Sequence, residues 1–168
     1  MKLLGVSGSL QANSANSALL RVAREVFGDS AEVALFDGLA AIPAFNPDTD
    51  PPPASVEAFR SLVKSADGVF FATPEYAFGL PGSLKNALDW LVGSGELYEK
   101  RVVVTSAAPS AERGAHARAD LERTLRAQGA RVLASQTIAV STARRGKELD
   151  DPRIREEVSR VLGSFSAL

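Results

Sequence analysis

Two kinds of apolar pattern alternate along this chain, and their order constrains its fold more than any other feature. Five apolar runs, each too short for a helix, are separated by stretches whose apolar residues recur at helical spacing. The first run, Lys2 to Ser7, is closed by Gly8-Ser9. From Ala15 to Phe27 the residues Leu19, Leu20, Val22, Ala23, Val26 and Phe27 predict a helix, with Ser14 or Asn16 available to cap its start. Glu32 to Phe36 predicts a second strand. The stretch from Asp37 to Pro53 holds five of the nine prolines and is irregular, and a helix is expected from Ala54 to Ser65. Gly68 to Thr73 is the most apolar stretch and stops at Pro74, the pattern of a central strand buried on both faces. Pro81 to Val92 reads as a helix with proline in its first turn, where the missing N–H costs nothing. Arg101 to Ser106 is the fourth strand, His116 to Gln128 a helix stopped by Gly129, and Arg131 to Val140 the fifth strand. Asp151 to Leu162, with Pro152 in its first turn, is the last helix.

Strands alternating with helices predict an α/β fold: a doubly wound, five-stranded parallel sheet with right-handed crossovers and helices on both faces. A length of 168 residues suits a single domain, 1–168, large enough to bury a full core. For the strand order 2-1-3-4-5 the order reverses between the first and third strands, and ligands bind beside that point at the carboxyl ends. The loops after strands one, three and four are therefore the ones to inspect.

Composition removes several kinds of chemistry. With no cysteine there is no disulfide, thiolate nucleophile, Cys-ligated zinc or Cys-held iron–sulfur cluster. Nineteen basic against twenty acidic residues give a net charge of −1, without the positive field a nucleic-acid binder relies on. The start MKLLGVSGSL is too short in its apolar part for a signal peptide, and no run approaches the ~20 apolar residues of a membrane helix. A soluble, cytoplasmic protein with neither nucleic-acid nor membrane partners is expected. His116 is the sole histidine, so no His cluster or Ser-His pair forms, and a solvated helix position is its simplest reading.

The loop after strand one, Ser7 to Ser17, carries hydroxyls, amides and Gly8 straight into a helix N-terminus, a cradle suited to phosphate. It matches neither the P-loop nor the dinucleotide fingerprint, and Gly5-Val6-Ser7-Gly8-Ser9 lacks the last glycine of a nucleophile elbow. The loop after strand three, Thr73 to Pro81, is stiffened by prolines, and Tyr76 and Phe78 can border a flat ring or serve as packing aromatics. Trp90 reads first as a core or subunit-interface aromatic. Lys85 and Asp89 read as an intrahelical ion pair, and Arg144, Arg145 and Lys147 as a solvated basic run.

Gly8-Ser9-Leu10 with Ser14 and Asn16, together with Pro74-Glu75-Tyr76 and the run Pro81-Gly82-x-Leu84-Lys85-Asn86-Ala87-x-Asp89-Trp90, closely resembles the NAD(P)H-dependent FMN reductase family. That family is flavodoxin-like and includes quinone, azo-dye and chromate reductases. The resemblance implies FMN and NAD(P)H as cofactors. It implies that Ser9, Gln11, Ser14, Asn16 and Ser17 hold the FMN phosphate, and that Pro74, Glu75, Tyr76, Ala77 and Ser106 line the flavin. Catalytic side chains are not required, because the flavin carries the chemistry. The electron acceptor is a small molecule: a quinone, free flavin, azo compound or chromate.

Three positions depart from the family pattern. Gln11 stands where Arg is usual, Ala77 where Asn is usual, and the stretch Ser106 to Gly114 lacks an expected pair of glycines. Arg113 can restore some charge there or simply be solvated. A flavodoxin-like electron carrier, which this chain resembles in fold, is a second reading, and these departures suggest a third, a family member that no longer binds flavin. The resemblance also implies a homodimer or homotetramer. Leu84, Ala87, Leu88, Trp90 and Leu91 spread apolar surface widely around their helix, as an interface would use.

Overall fold

The structure is a computed structural model that describes residues 1–140, 149 and 151–166. Its strands β1 (Lys2–Ser7), β2 (Glu32–Phe36), β3 (Gly68–Ala72), β4 (Arg101–Ala108) and β5 (Arg131–Ala139) form one sheet in the order β2-β1-β3-β4-β5. Every neighbouring pair is parallel. The helices are α1 (Ala15–Phe27), α2 (Ala54–Ser65), α3 (Gly82–Asp89), α4 (Ala115–Ala127) and α5 (Pro152–Leu162).

The continuous apolar runs are explained by burial on two faces. Along β3, Val69 and Phe71 join the core beneath α2, α3 and α4, while Phe70 and Ala72 join the core beneath α1 and α5. Strand β4 divides in the same way, Val102 and Val104 to one side and Val103 to the other. Ser14 is the residue that caps α1, its side chain accepting from the Asn16 N–H.

Several element boundaries differ from the sequence expectation by one or more residues. Strand β4 continues two residues beyond Ser106, because Ala107 and Ala108 pair with Ile138 and Ala139 of β5. Helix α3 closes at Asp89, leaving Trp90 to Val92 in a turn. The irregular Asp37–Pro53 segment contains one 3₁₀ turn, Gly38–Ala41.

The apolar surface around α3 is not free for an interface. Leu84, Ala87, Leu88 and Leu91 are fully enclosed, and Trp90 is 3% exposed. Trp90 Nε1 donates to the Pro43 carbonyl (2.9 Å), Asn86 Nδ2 donates to the same oxygen (2.8 Å), and Asn86 Oδ1 accepts from the Phe45 N–H (2.8 Å). Phe45 packs edge-on against the indole at 5.1 Å. The proline-rich segment is thus strapped over the end of α3, and the helix needs a wide apolar surface because both the sheet and the strap cover it. Lys85 and Asp89 form the expected ion pair at 2.6 Å. Trp90→Ala is expected to lower stability in urea unfolding by about 3–5 kcal/mol through loss of packing, with the sedimentation or scattering mass unchanged.

Candidate functional site

The loops after β1, β3 and β4 meet at one edge of the sheet around a cavity of about 360 Å³. Gly8 makes their approach feasible: its N–H donates to the Ala72 carbonyl at 2.9 Å, and a Cβ there would lie 2.8 Å from Thr73 Oγ1. Two side-chain bonds then join the loops. Asn16 Oδ1, buried at the start of α1, accepts from the Ala107 N–H (2.9 Å), and Ser106 Oγ donates to the Thr73 carbonyl (2.8 Å).

Of the residues assigned from sequence, Ser9, Gln11, Ser14, Asn16, Pro74, Glu75, Tyr76 and Ser106 line this cavity. Ser17 and Ala77 are not among its lining residues. Ser17 Oγ instead donates to Ser7 Oγ (2.9 Å), and Ser17 borders a separate cavity of about 270 Å³ on the other side of the loop. Ala77 lies at the tip of a tight turn in which Tyr76 and Gly79 exchange backbone hydrogen bonds of 3.1 and 3.0 Å. Ala77 and Phe78 both have positive φ there, 49° and 61°, the left-handed region that favours Asn or Gly. The usual Asn at position 77 thus suits the backbone, a reason its side-chain chemistry alone does not suggest.

The hydroxyls are arranged as donors. Ser9 Oγ accepts from the Gln11 N–H and Ser14 Oγ from the Asn16 N–H, both at 3.2 Å, so each hydroxyl proton is left to donate outward. The Asn16 amide has its oxygen engaged and its NH₂ without an acceptor among the described residues. The first turn of α1 adds N–H groups with no intrahelical acceptor and a partial positive charge. A neutral set of donors converging at a helix start fits a phosphate ester. Pro74, Tyr76, Ala107, Ala108 and Pro109 supply flatter, largely apolar walls.

Glu75 has a role that its sequence context did not reveal. Helix α4 starts after Gly114, which has φ 84° and offers no side-chain cap. Glu75 Oε2 reaches across from the β3 loop and accepts from His116 N–H (2.9 Å) and Ala117 N–H (3.2 Å). A Cβ on Gly114 would overlap Ser106 Oγ, so this glycine, rather than the expected pair, lets the third loop pack against β4. Near Glu75, burial pushes the Arg118 guanidinium below its usual pKa range, opposed by Glu122 and Glu75, while its Nη1 donates to Ser135 Oγ. His116 is exposed, as its lone occurrence suggested, with Phe78 edge-on at 5.4 Å. Sequence reasoning missed Asn13, Ala108, Pro109 and Gly114 as lining residues and left Arg113 undecided; Arg113 lines the cavity. The basic run Arg144, Arg145 and Lys147 lies outside the described residues. Among the described residues no cluster of metal-ligating side chains occurs, and no helix is long and apolar enough to cross a membrane.

A family model of NADPH-dependent FMN reductases matches residues 1–145. The chain belongs to that family. It is 44% identical over 93 residues to an NAD(P)H-dependent FMN reductase of Pseudomonas aeruginosa, the match covering 54% of this chain and 49% of the relative. A quinone reductase of Escherichia coli K12 is 37% identical over 94 residues, covering 54% and 50%. The matches span about half the length of these relatives. In fold, the chain superimposes on a flavoenzyme NAD(P)H:(acceptor) oxidoreductase of Paracoccus denitrificans with a TM-score of 0.77 at 24% identity, covering 98% of this chain and 94% of that one. A flavodoxin of Bacillus cereus gives 0.67 at 16% identity, covering 99% and 97%, and the flavodoxin-like architecture is thereby established.

Removing the Glu75 carboxylate should loosen the start of α4. Glu75→Ala is expected to cost about 1 kcal/mol in chemical unfolding, with Glu75→Gln retaining part of the stability, since an amide oxygen still accepts but carries no charge. Faster amide exchange at His116 and Ala117 would register the same loss locally.

Proposed function

We propose that this chain is an FMN-binding oxidoreductase domain that uses NAD(P)H to reduce a small acceptor such as a quinone, free flavin, azo compound or chromate. The observation that carries the reading is the donor set at the start of α1, opening into the same cavity as the Pro74–Tyr76 and Ala107–Pro109 walls. When bound, FMN supplies two-electron transfer between a nicotinamide nucleotide and an acceptor. The chain's own residues bind and orient. Ser9 and Ser14 would donate their hydroxyl protons to the phosphate, beside the Asn16 NH₂ and the first N–H groups of α1, with Gln11 as a further neutral donor in the same cavity. Pro74, Glu75 and Tyr76 with Ser106 to Pro109 would hold the ring. The Ser106 proton is committed to the Thr73 carbonyl, so Ser106 shapes the wall rather than donating to the cofactor. Ser17 and Ala77 act on the site through the conformations of their loops.

An electron carrier of the same fold would bind FMN but lack nicotinamide-driven turnover. The near-neutral charge of this chain favours the enzyme, since carriers of that type are typically strongly acidic. A degenerate, flavin-free member is disfavoured because the loop after β4 forms a lined wall in spite of its missing glycines. A cytoplasmic location fits the absence of cysteine. Assembly as a homodimer or homotetramer is supported by Tyr76, which lines the cavity, and Phe78 in the adjoining turn, 54% and 77% exposed, which a second subunit would cover.

Purified protein is expected to bind FMN and to oxidise NAD(P)H steadily when a quinone is supplied; a flavin-loaded protein without turnover would favour the carrier. Replacing Ser9 and Asn16 together by Ala should weaken FMN binding by about a hundredfold, as two hydrogen bonds to a charged group are lost. An unchanged dissociation constant would reject the site. Light scattering of the flavin-loaded protein at micromolar concentration should give at least twice the chain mass, and Phe78→Ser should shift it toward the monomer.

A further inference from the structure

Two charged side chains line the cavity among the described residues, Glu75 and Arg113. Their situations are opposite. The Glu75 carboxylate is held by two N–H groups at the positive end of α4, so its charge is locally offset. The Arg113 guanidinium makes no hydrogen bond or ion pair with any described residue.

The backbone that carries Arg113 is, by contrast, tightly fixed. Its N–H donates to the Ser110 carbonyl (3.2 Å), and its own carbonyl accepts from Thr137 Oγ1 on β5 (3.0 Å). The next residue, Gly114, fills a place against Ser106 where no Cβ fits. Glu75 then clamps the first N–H groups of α4 immediately beyond. Arg113 is exposed, and its cation lines the cavity from an anchored backbone with its five donors unspent among the described residues, in the same cavity as hydroxyl and amide donors that bring no formal charge. Neutral donors alone leave most of a phosphate's negative charge without a counterion, and a guanidinium is the side chain best matched to phosphate oxygens.

We propose that Arg113 is the phosphate-reading cation of this cavity, recognising a phosphate ester together with the donors of the β1 loop. This rests on the reading of the cavity as a nucleotide site. Two sources offer that chemistry, the 5′-phosphate of FMN and the diphosphate of the nicotinamide nucleotide.

Binding titrations separate them. Flavin fluorescence gives dissociation constants for FMN and for riboflavin, which lacks the phosphate, in the unmodified protein, Arg113→Gln and Arg113→Lys. ADP, which carries the diphosphate without the nicotinamide, is titrated into FMN-loaded protein. For the flavin phosphate, Arg113→Gln weakens FMN about tenfold and leaves riboflavin within twofold, Arg113→Lys recovers part of the loss, and added salt weakens FMN more steeply in the unmodified protein than in Arg113→Gln. Loss of ADP affinity with FMN unchanged assigns the arginine to the dinucleotide. FMN and ADP both unchanged, or FMN and riboflavin weakened equally, overturns the proposal. An unmodified protein that binds no flavin overturns the functional reading itself, an outcome distinct from a flavin-binding protein indifferent to position 113.

Discussion

The structure depends on a strand that must be dry on both sides. Val69, Phe70, Phe71 and Ala72 of β3 are all buried, and neither face of that strand can be left to water. A parallel sheet with helices on both faces meets this demand, since each crossover helix covers one face and returns the chain in the same direction. Once β3 is central, the carboxyl ends of β1, β3 and β4 are adjacent. Three loops of unrelated sequence then share one rim, and the site is a consequence of how the core is buried.

At that rim, polar groups divide their capacity between holding loops and facing the cavity. Asn16 spends its carbonyl oxygen on Ala107, Ser106 spends its proton on Thr73, and Glu75 spends its carboxylate on α4. Ser9 and Ser14 accept from neighbouring N–H groups and so turn their protons outward. An unsatisfied buried polar group is costly, and the buried side chains here, Ser9, Ser14, Asn16 and Ser106, each have an intramolecular partner on one atom. Fixing the donors in advance also lowers the entropy lost when a ligand binds.

A motif can be recognisable for reasons that have little to do with the reaction. In the run Pro81 to Trp90, Asn86 and Trp90 both hold the Pro43 carbonyl, and Lys85 and Asp89 pair on the helix surface. In this chain Asn86 and Trp90 strap the proline-rich segment over α3, whereas the cavity is lined by Pro74, Glu75 and Tyr76 just upstream. The strap also explains the apolar surface of α3, which periodicity alone cannot distinguish from an interface: a helix covered by both a sheet and a loop looks the same in sequence as one covered by a sheet and a partner.

The order of elements, the parallel sheet and the strand ends that carry the candidate site are legible in the residues alone, because they follow from local periodicity and from apolar runs with one feasible burial. The sequence also named the Ser9–Asn16 donors, since a hydroxyl-rich loop entering a helix is a local arrangement. Only the tertiary structure decided that Glu75 caps α4 forty-one residues away, that Ser17 turns to Ser7, that Trp90 is enclosed within one chain, and that Arg113 stands at the cavity wall. Each of these is a contact between segments with no periodic relation, made across the β3 and β4 loops by Glu75 and Arg113, within the β1 loop by Ser17, and against the proline-rich strap by Trp90. For Glu75 and Arg113 the geometry is fixed by how β3 and β4 lie side by side, and nothing in the residues nearby encodes it.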